Sequence, residues 1–167
     1  MTAQDYVDEL LRTVEEVGRE LASIDDEMAG RKPSATAWSA KEIVGHLIDS
    51  AANNHQRFVR ARWQEDLVFP GYAQDGWVEA QDYQHAPWLE LISLWQQYNR
   101  HLARVMRATP PEVRYRRHAR HNLHEIAWKT VPAVEAATLE YFMADYVGHL
   151  AHHVSQIRRL LDAARTT

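Results

Sequence analysis

The 167-residue chain contains no cysteine, and that absence removes several kinds of chemistry at once. No disulfide framework, thiolate zinc site, iron–sulfur cluster or cysteine nucleophile can be built from it. Any thiol that takes part in its chemistry has to come from a cosubstrate. The chain also lacks an apolar run approaching the length of a membrane span, and its start, MTAQDYVDEL, has no basic and then apolar stretch of the signal-peptide kind. The expected location is the cytoplasm, with no membrane partner. Positive charge is in short supply, since 19 Lys and Arg against 23 Asp and Glu leave a net −4. That balance argues against a phosphate-backbone binder, so nucleic acid is not an expected partner. No repeat or low-complexity segment is visible. With 46% hydrophobic residues, the chain is long enough to bury a proper core, and one globular domain over residues 1–167 is expected.

What is present is mostly amphipathic helix. Tyr6, Leu10, Val14, Val17, Leu21, Ile24 and Met28 recur at threes and fours, which predicts a first helix over residues 2–29 that Gly30 ends. The second start signal is unusually complete. Ser39 can cap, Glu42 stands at the third helical position, and Trp38 and Ile43 occupy the two places of a hydrophobic staple. A second helix is expected from Trp38 or Ser39 to about residue 66, with Ile43, Leu47 and Phe58 inward. Residues 67–84 break the pattern with Pro70, Gly71 and Gly76 but keep Phe69, Tyr72, Trp77 and Tyr83. They read as an ordered crossover folding over the bundle end and bordering a pocket. A third helix runs from Pro87 to Thr109, before Pro110 and Pro111. Residues 112–134, rich in Arg and carrying His118, His121 and His124, read as a solvated basic crossover with a short helix around residues 121–128. The fourth helix spans about 133–164. Four long amphipathic helices without an alternating strand make an all-α four-helix bundle, and its long crossover connections exclude a plain up-and-down arrangement.

The chemistry concentrates in two places. His149 and His153 are four apart on the last helix, so both imidazoles share one face, one turn apart, as a two-point metal grip. His46, in WSAKEIVGHL, is the candidate third ligand. On the second helix His46, Ser50, Asn53 and Arg57 fall in one narrow sector, flanked by Asp49 and Asn54. This polar stripe either satisfies hydrogen bonds between helices or binds the polar end of a substrate, through Ser50, Asn53, Asn54 and Arg57. By helical rise Arg57 lies about 16 Å from His46, too far to act at the ion itself. Acceptors for the ligands' other ring nitrogens are expected from Asp145, Glu42, Asp49 and Gln156, with Asp145, one turn before His149, the first choice. His152 is rotated 100° from His153 and reads as a flanking residue.

WSAKEIVGHL followed much later by HLAHHVSQI resembles the DinB/YfiT-like family, and helix order and motif positions extend the likeness over nearly the whole chain. In that family a His on the second helix and an HxxxH pair on the fourth bind a divalent metal. The resemblance implies His46, His149 and His153 as the ligands. It also implies zinc or nickel with open positions for water or a substrate thiolate, and chemistry like that of bacillithiol- or mycothiol-dependent transferases and isomerases. Two other roles stay open. One is metal-dependent hydrolysis by bound hydroxide, and the other a non-catalytic metal-binding stress-response protein. A small-molecule substrate, among them a low-molecular-weight thiol, is the expected partner. Relatives are often homodimers, and the surplus aromatics Trp63, Trp77 and Trp128 are candidates for an interface.

Overall fold

The computed structural model describes residues 3–165, with side chains from Tyr6 onward. Four long helices carry the core: α1 (Ala3–Ala22), α3 (Ala40–Arg60), α5 (Trp88–Arg107) and α8 (Leu139–Arg165). Between them lie the short helices α2 (Asp26–Ala29), α4 (Gln74–Ala80), α6 (Pro111–Arg114) and α7 (Leu123–Ile126), and a 3-10 turn at Tyr83–His85. The α1 stripe is buried as its spacing requires, and Ile43, Leu47 and Phe58 of α3 are inside with Trp88 and Trp95 of α5. Strand content among the described residues is limited to two isolated bridges, Leu67 with His121 and His118 with Ala137. No helix among these residues is long and apolar enough to cross a membrane.

Contacts along the helices fix their directions. On α3 and α8 the residue numbers run opposite ways, since His46 meets His153 while Phe58 meets Phe142, so these two helices are antiparallel. The pair α1 and α5 is antiparallel as well, with Trp88 Nε1 donating to the Leu21 carbonyl at 2.9 Å and Arg107 paired to Asp8. By contrast α1 runs parallel to α8, through Tyr6 with Glu140 and Glu20 with Arg158. The remaining pair, α3 and α5, is also parallel, through Lys41 with Ala86 at one end and His55 with Tyr98 further along. The order is therefore up, down, down, up, and the parallel neighbours α3 and α5 need the long return over residues 61–87. This is the crossover that the ring-rich sequence there foretells.

Helix ends depart from the sequence expectation where tertiary hydrogen bonds take over the backbone. The start expected at residue 2 lies outside the described residues, and the first helix stops at Ala22 rather than 29. Asp25 accepts from Met28 N at 2.7 Å and starts α2 as a separate turn. Helix α3 ends at Arg60, not near 66, because Leu67 is drawn into a bridge, donating to the Arg120 carbonyl and accepting from Asn122 N. Pro87 caps α5 from outside its first turn. At the last helix Ala137 exchanges both backbone bonds with His118, at 2.8 and 3.0 Å, so the chain is extended there and α8 begins at 139 rather than 133.

The reading of residues 112–134 as a solvated crossover is corrected by the same contacts. His118 and His121 are only 4% and 6% exposed. His118 Nδ1 meets the Glu65 carbonyl at 2.9 Å, and His121 uses both ring nitrogens, one towards the Glu135 carbonyl at 2.7 Å and the other accepting from Leu123 N at 3.1 Å. The His118 imidazole fastens one crossover to the other, and the His121 imidazole ties its own crossover together. His124 is exposed, beside Glu125, as the solvated reading expected.

The start of α3 agrees with its sequence signature residue by residue. Ser39 Oγ accepts from Glu42 N at 3.2 Å, and Glu42 Oε2 accepts from Ser39 N at 2.8 Å. Ser39 Oγ also donates to Gln84 of the crossover at 2.6 Å. Ser39→Ala is expected to lower stability by about 1–2 kcal/mol, read as a fall in the urea midpoint at unchanged denaturant dependence.

Candidate metal centre

The capping box sets the rotation of α3 from its first residue, and two turns later that rotation aims His46 at α8. Its imidazole is fully buried, with the Trp38 ring 5.1 Å away and tilted by 36°. From the antiparallel partner, His149 places Nε2 at 3.4 Å from His46 Nε2, and His153 places Nε2 at 3.1 Å from His149 Nε2. The ligating atoms of the three lie within 4.8 Å of one another. Nitrogens around a tetrahedral ion at the usual zinc–nitrogen distance of about 2.0–2.1 Å stand roughly 3.3 Å apart. The two spacings to His149 match that figure, and the third lies within 4.8 Å.

Protonation favours the same use. Burial, with the neighbouring His153 adding to it, pushes His46 down to about 4. Burial, then His153 and His46, pushes His149 down to about 3. His153 is also lowered, by burial first, against an opposing hydrogen bond from Gln156. All three imidazoles are therefore neutral near pH 7, which is the ligating form. Gln156 Oε1 lies 2.8 Å from His153 Nδ1, so the proton sits on that nitrogen and leaves the Nε2 lone pair towards the centre. Ser50 Oγ stands 3.4 Å from His149 Nδ1 and does the corresponding service there. His46 Nδ1 is buried with no partner. Three neutral donors on two rigid helices, with their lone pairs turned inward, fit a divalent cation, and the cluster supports metal binding.

Other residues expected at the site are placed elsewhere. Asp145 does not reach His149, because its carboxylate accepts from the backbone N–H of Trp128 and of Lys129, each at 2.8 Å. Glu42 is occupied by the cap and by Lys32 at 2.8 Å. Asp49 accepts from Tyr83 Oη and Gln81 Nε2, both at 2.7 Å, on a different face of α3. Of the four acceptors anticipated for the imidazoles, Gln156 alone faces one. Within the polar stripe Ser50, Asn54 and Arg57 line a cavity of about 270 Å³ that opens onto His149 and His153. Asn53 does not line it, since its amide donates to the Asp49 carbonyl at 2.9 Å.

Tyr72 lines the cavity from the ring-rich crossover that was expected to border a pocket. Trp128, named in the sequence as a candidate for an interface, also lines the cavity, with its ring 5.5 Å from that of His152, and that role escaped the sequence reading. A signal for Trp128 exists in Gly148, next to His149, where an added Cβ would come 2.9 Å from the indole. His152 is a flanking residue as expected.

Comparison with known proteins agrees with this picture. No protein-family model matches the chain. YfiT of Bacillus subtilis (strain 168) is 24% identical over 162 residues, covering 95% of this chain and 85% of YfiT. A protein of Bacillus mycoides (strain KBAB4), named in the same terms, is 23% identical over 83 residues, 47% of this chain and 48% of its own length. The solved structure of YfiT, described as "a probable metal-dependent hydrolase with an unusual four-helix bundle topology", aligns with a TM-score of 0.76 at 21% identity over 95% of this chain and 85% of that one. The resemblance to the DinB/YfiT-like family thus holds in sequence and in fold over nearly the whole chain.

The lowered His46 value has a sign that can be checked in metal-free protein. Because the folded-state value, about 4, lies below the unfolded 6.5, unfolding takes up a proton in the interval between them. Stability is complete above pH 6.5 and falls as pH drops towards 4, by about 3 kcal/mol from this residue alone. Urea unfolding of the metal-free protein between pH 7.5 and 4.5 is expected to show that decline, and His46→Gln to flatten part of it.

Proposed function

We propose that the protein is a metal-dependent enzyme in which His46, His149 and His153 hold zinc or nickel and a small nucleophile is activated beside them. One observation carries this: the Nε2 spacings of 3.4 and 3.1 Å among three imidazoles, one buried and two half-buried, drawn from two antiparallel helices. A cation bound by three neutral imidazoles supplies Lewis acidity to an incoming thiol or water, lowering its pKa into the neutral range. The protein's own part is orientation and exclusion. Gln156 and Ser50 fix the rings of His153 and His149, while Trp128 walls the cavity from solvent. Asp145 secures the loop that carries Trp128 and so is not free to act as a base.

For the nucleophile, a low-molecular-weight thiol of the bacillithiol or mycothiol kind is favoured by the family resemblance, and the chain's lack of cysteine means that such a thiol would be supplied as a cosubstrate. The hydrolase names of the relatives favour water equally well. The two differ in one requirement: transfer needs added thiol, and hydrolysis proceeds without it. Cytoplasmic residence and a homodimer go with this proposal, with Trp63, 77% exposed, as a surface that a second copy would cover.

Elemental analysis of untagged protein is expected to give one divalent ion per chain, and His149→Ala to abolish it. Full occupancy at unchanged affinity in that variant would overturn the assignment. Gln156→Ala should keep the fold and weaken metal affinity about 10–100-fold, measured by competition with a chromophoric chelator.

A further inference from the structure

Arg57 is a buried cation without a paired counter-charge among the described residues. It is 5% exposed and lies on the wall of the cavity that His149 and His153 share. Nη1 donates to Asn54 Oδ1 at 3.4 Å and Nη2 to the Pro70 carbonyl at 2.9 Å, while the guanidinium carbon stands 5.8 Å from the centre of the Phe142 ring. These partners are neutral and use two of its five N–H groups. Among the described residues no carboxylate is paired with it. The other buried cation, Lys41, is treated differently, with Asp26 at 2.7 Å and the Ala86 carbonyl at 2.9 Å. Withdrawing a charge from water without an opposite charge is costly, and such an arrangement persists where a ligand completes it.

The surroundings say what the ligand carries. Tyr72 lies beside Arg57, with its hydroxyl against Ser50, and burial pushes that phenol up to about 12, so it is a protonated donor. The guanidinium reaches back to Asn54, one turn beyond Ser50, so it lies about 5 Å along the helix from the level at which Ser50 meets His149. The 16 Å backbone separation from His46 is therefore not the relevant distance. One guanidinium balances one negative charge, and Glu125 and Asp145 line the same cavity, so a second charge on the ligand would face charge of its own sign.

We propose that Arg57, with the Tyr72 hydroxyl beside it, seats a single carboxylate of a small organic acid whose reacting end lies against His149 and His153. The position of the reacting end rests on the proposed metal function; the carboxylate seat does not.

The test uses the full, metal-free chain, so that no cation can take the anion itself. Sodium acetate, acetamide and sodium phosphate are titrated at constant ionic strength while the Arg57 Nε–H and Trp128 indole N–H resonances are followed. Acetate is expected to shift both saturably, acetamide neither, and phosphate to bind more weakly than acetate. Arg57→Gln should weaken acetate at least tenfold, and Arg57→Lys less, since the charge is kept. Equal acetate binding in the wild type and Arg57→Gln, an unmoved Arg57 resonance, or tighter binding of phosphate would each overturn the proposal. Should Arg57→Gln fail to fold, the wild-type Arg57 resonance still decides it. His149→Ala is expected to retain the acetate shift, so loss of the metal assignment and loss of the carboxylate seat are separate results.

Discussion

Three imidazoles from two helices meet with their Nε2 atoms 3.1–3.4 Å apart at neighbouring pairs, and nothing local to either helix would choose that arrangement. Packing holds it. Helix α3 is pinned at its start by Ser39, Glu42 and Gln84, and further along its Phe58 ring meets Phe142 and Tyr146 edge-on. With both ends of the α3 and α8 contact fixed by other residues, the rings between them have little freedom to turn away. Burial then keeps them neutral, which removes the repulsion between imidazolium charges and leaves the donors ready. The cluster is thus a feature that the rest of the bundle imposes.

How much of this was legible in the sequence follows from how local each signal is. The start of α3 could be assigned to within a residue or two because a capping box is complete within four positions. His149 and His153 were legible for the same reason, since a spacing of four on a helix fixes a shared face whatever surrounds it. His46 needed more, because proximity across about a hundred residues is not a local property, and the family likeness supplied it. The failures share one cause. The end of α3 and the place of His118 depend on contacts between the two crossovers, the start of α8 and the ring of His121 on contacts across one crossover, and Asp145 on a crossover meeting α8. Each joins residues more than a dozen positions apart, beyond the reach of periodicity or capping signals. Asp145 shows this best: one turn from His149 it had the right offset, but two backbone N–H groups from residues 128 and 129 were nearer.

The polar stripe on α3 divides by the same logic. Asn53 and Asp49 turn to hydrogen bonds within α3 and with the Gln81 and Tyr83 side chains, and so serve the fold. Ser50, Asn54 and Arg57 face the cavity with bonding capacity left over. Of the two uses anticipated for such a stripe, one side of the helix serves hydrogen bonding within the fold, and the adjacent side faces the cavity.

The up, down, down, up order has a consequence for biogenesis. The two helices that supply imidazoles touch along their length, but about eighty residues separate the end of α3 from the start of α8, so His46 is made before its partners, while α3 and α5 are already able to pair side by side. The three-imidazole cluster exists only once α8 has packed, which also closes the cavity. On the proposed metal function, an ion that needs all three rings would load into the assembled bundle and not into a partial one.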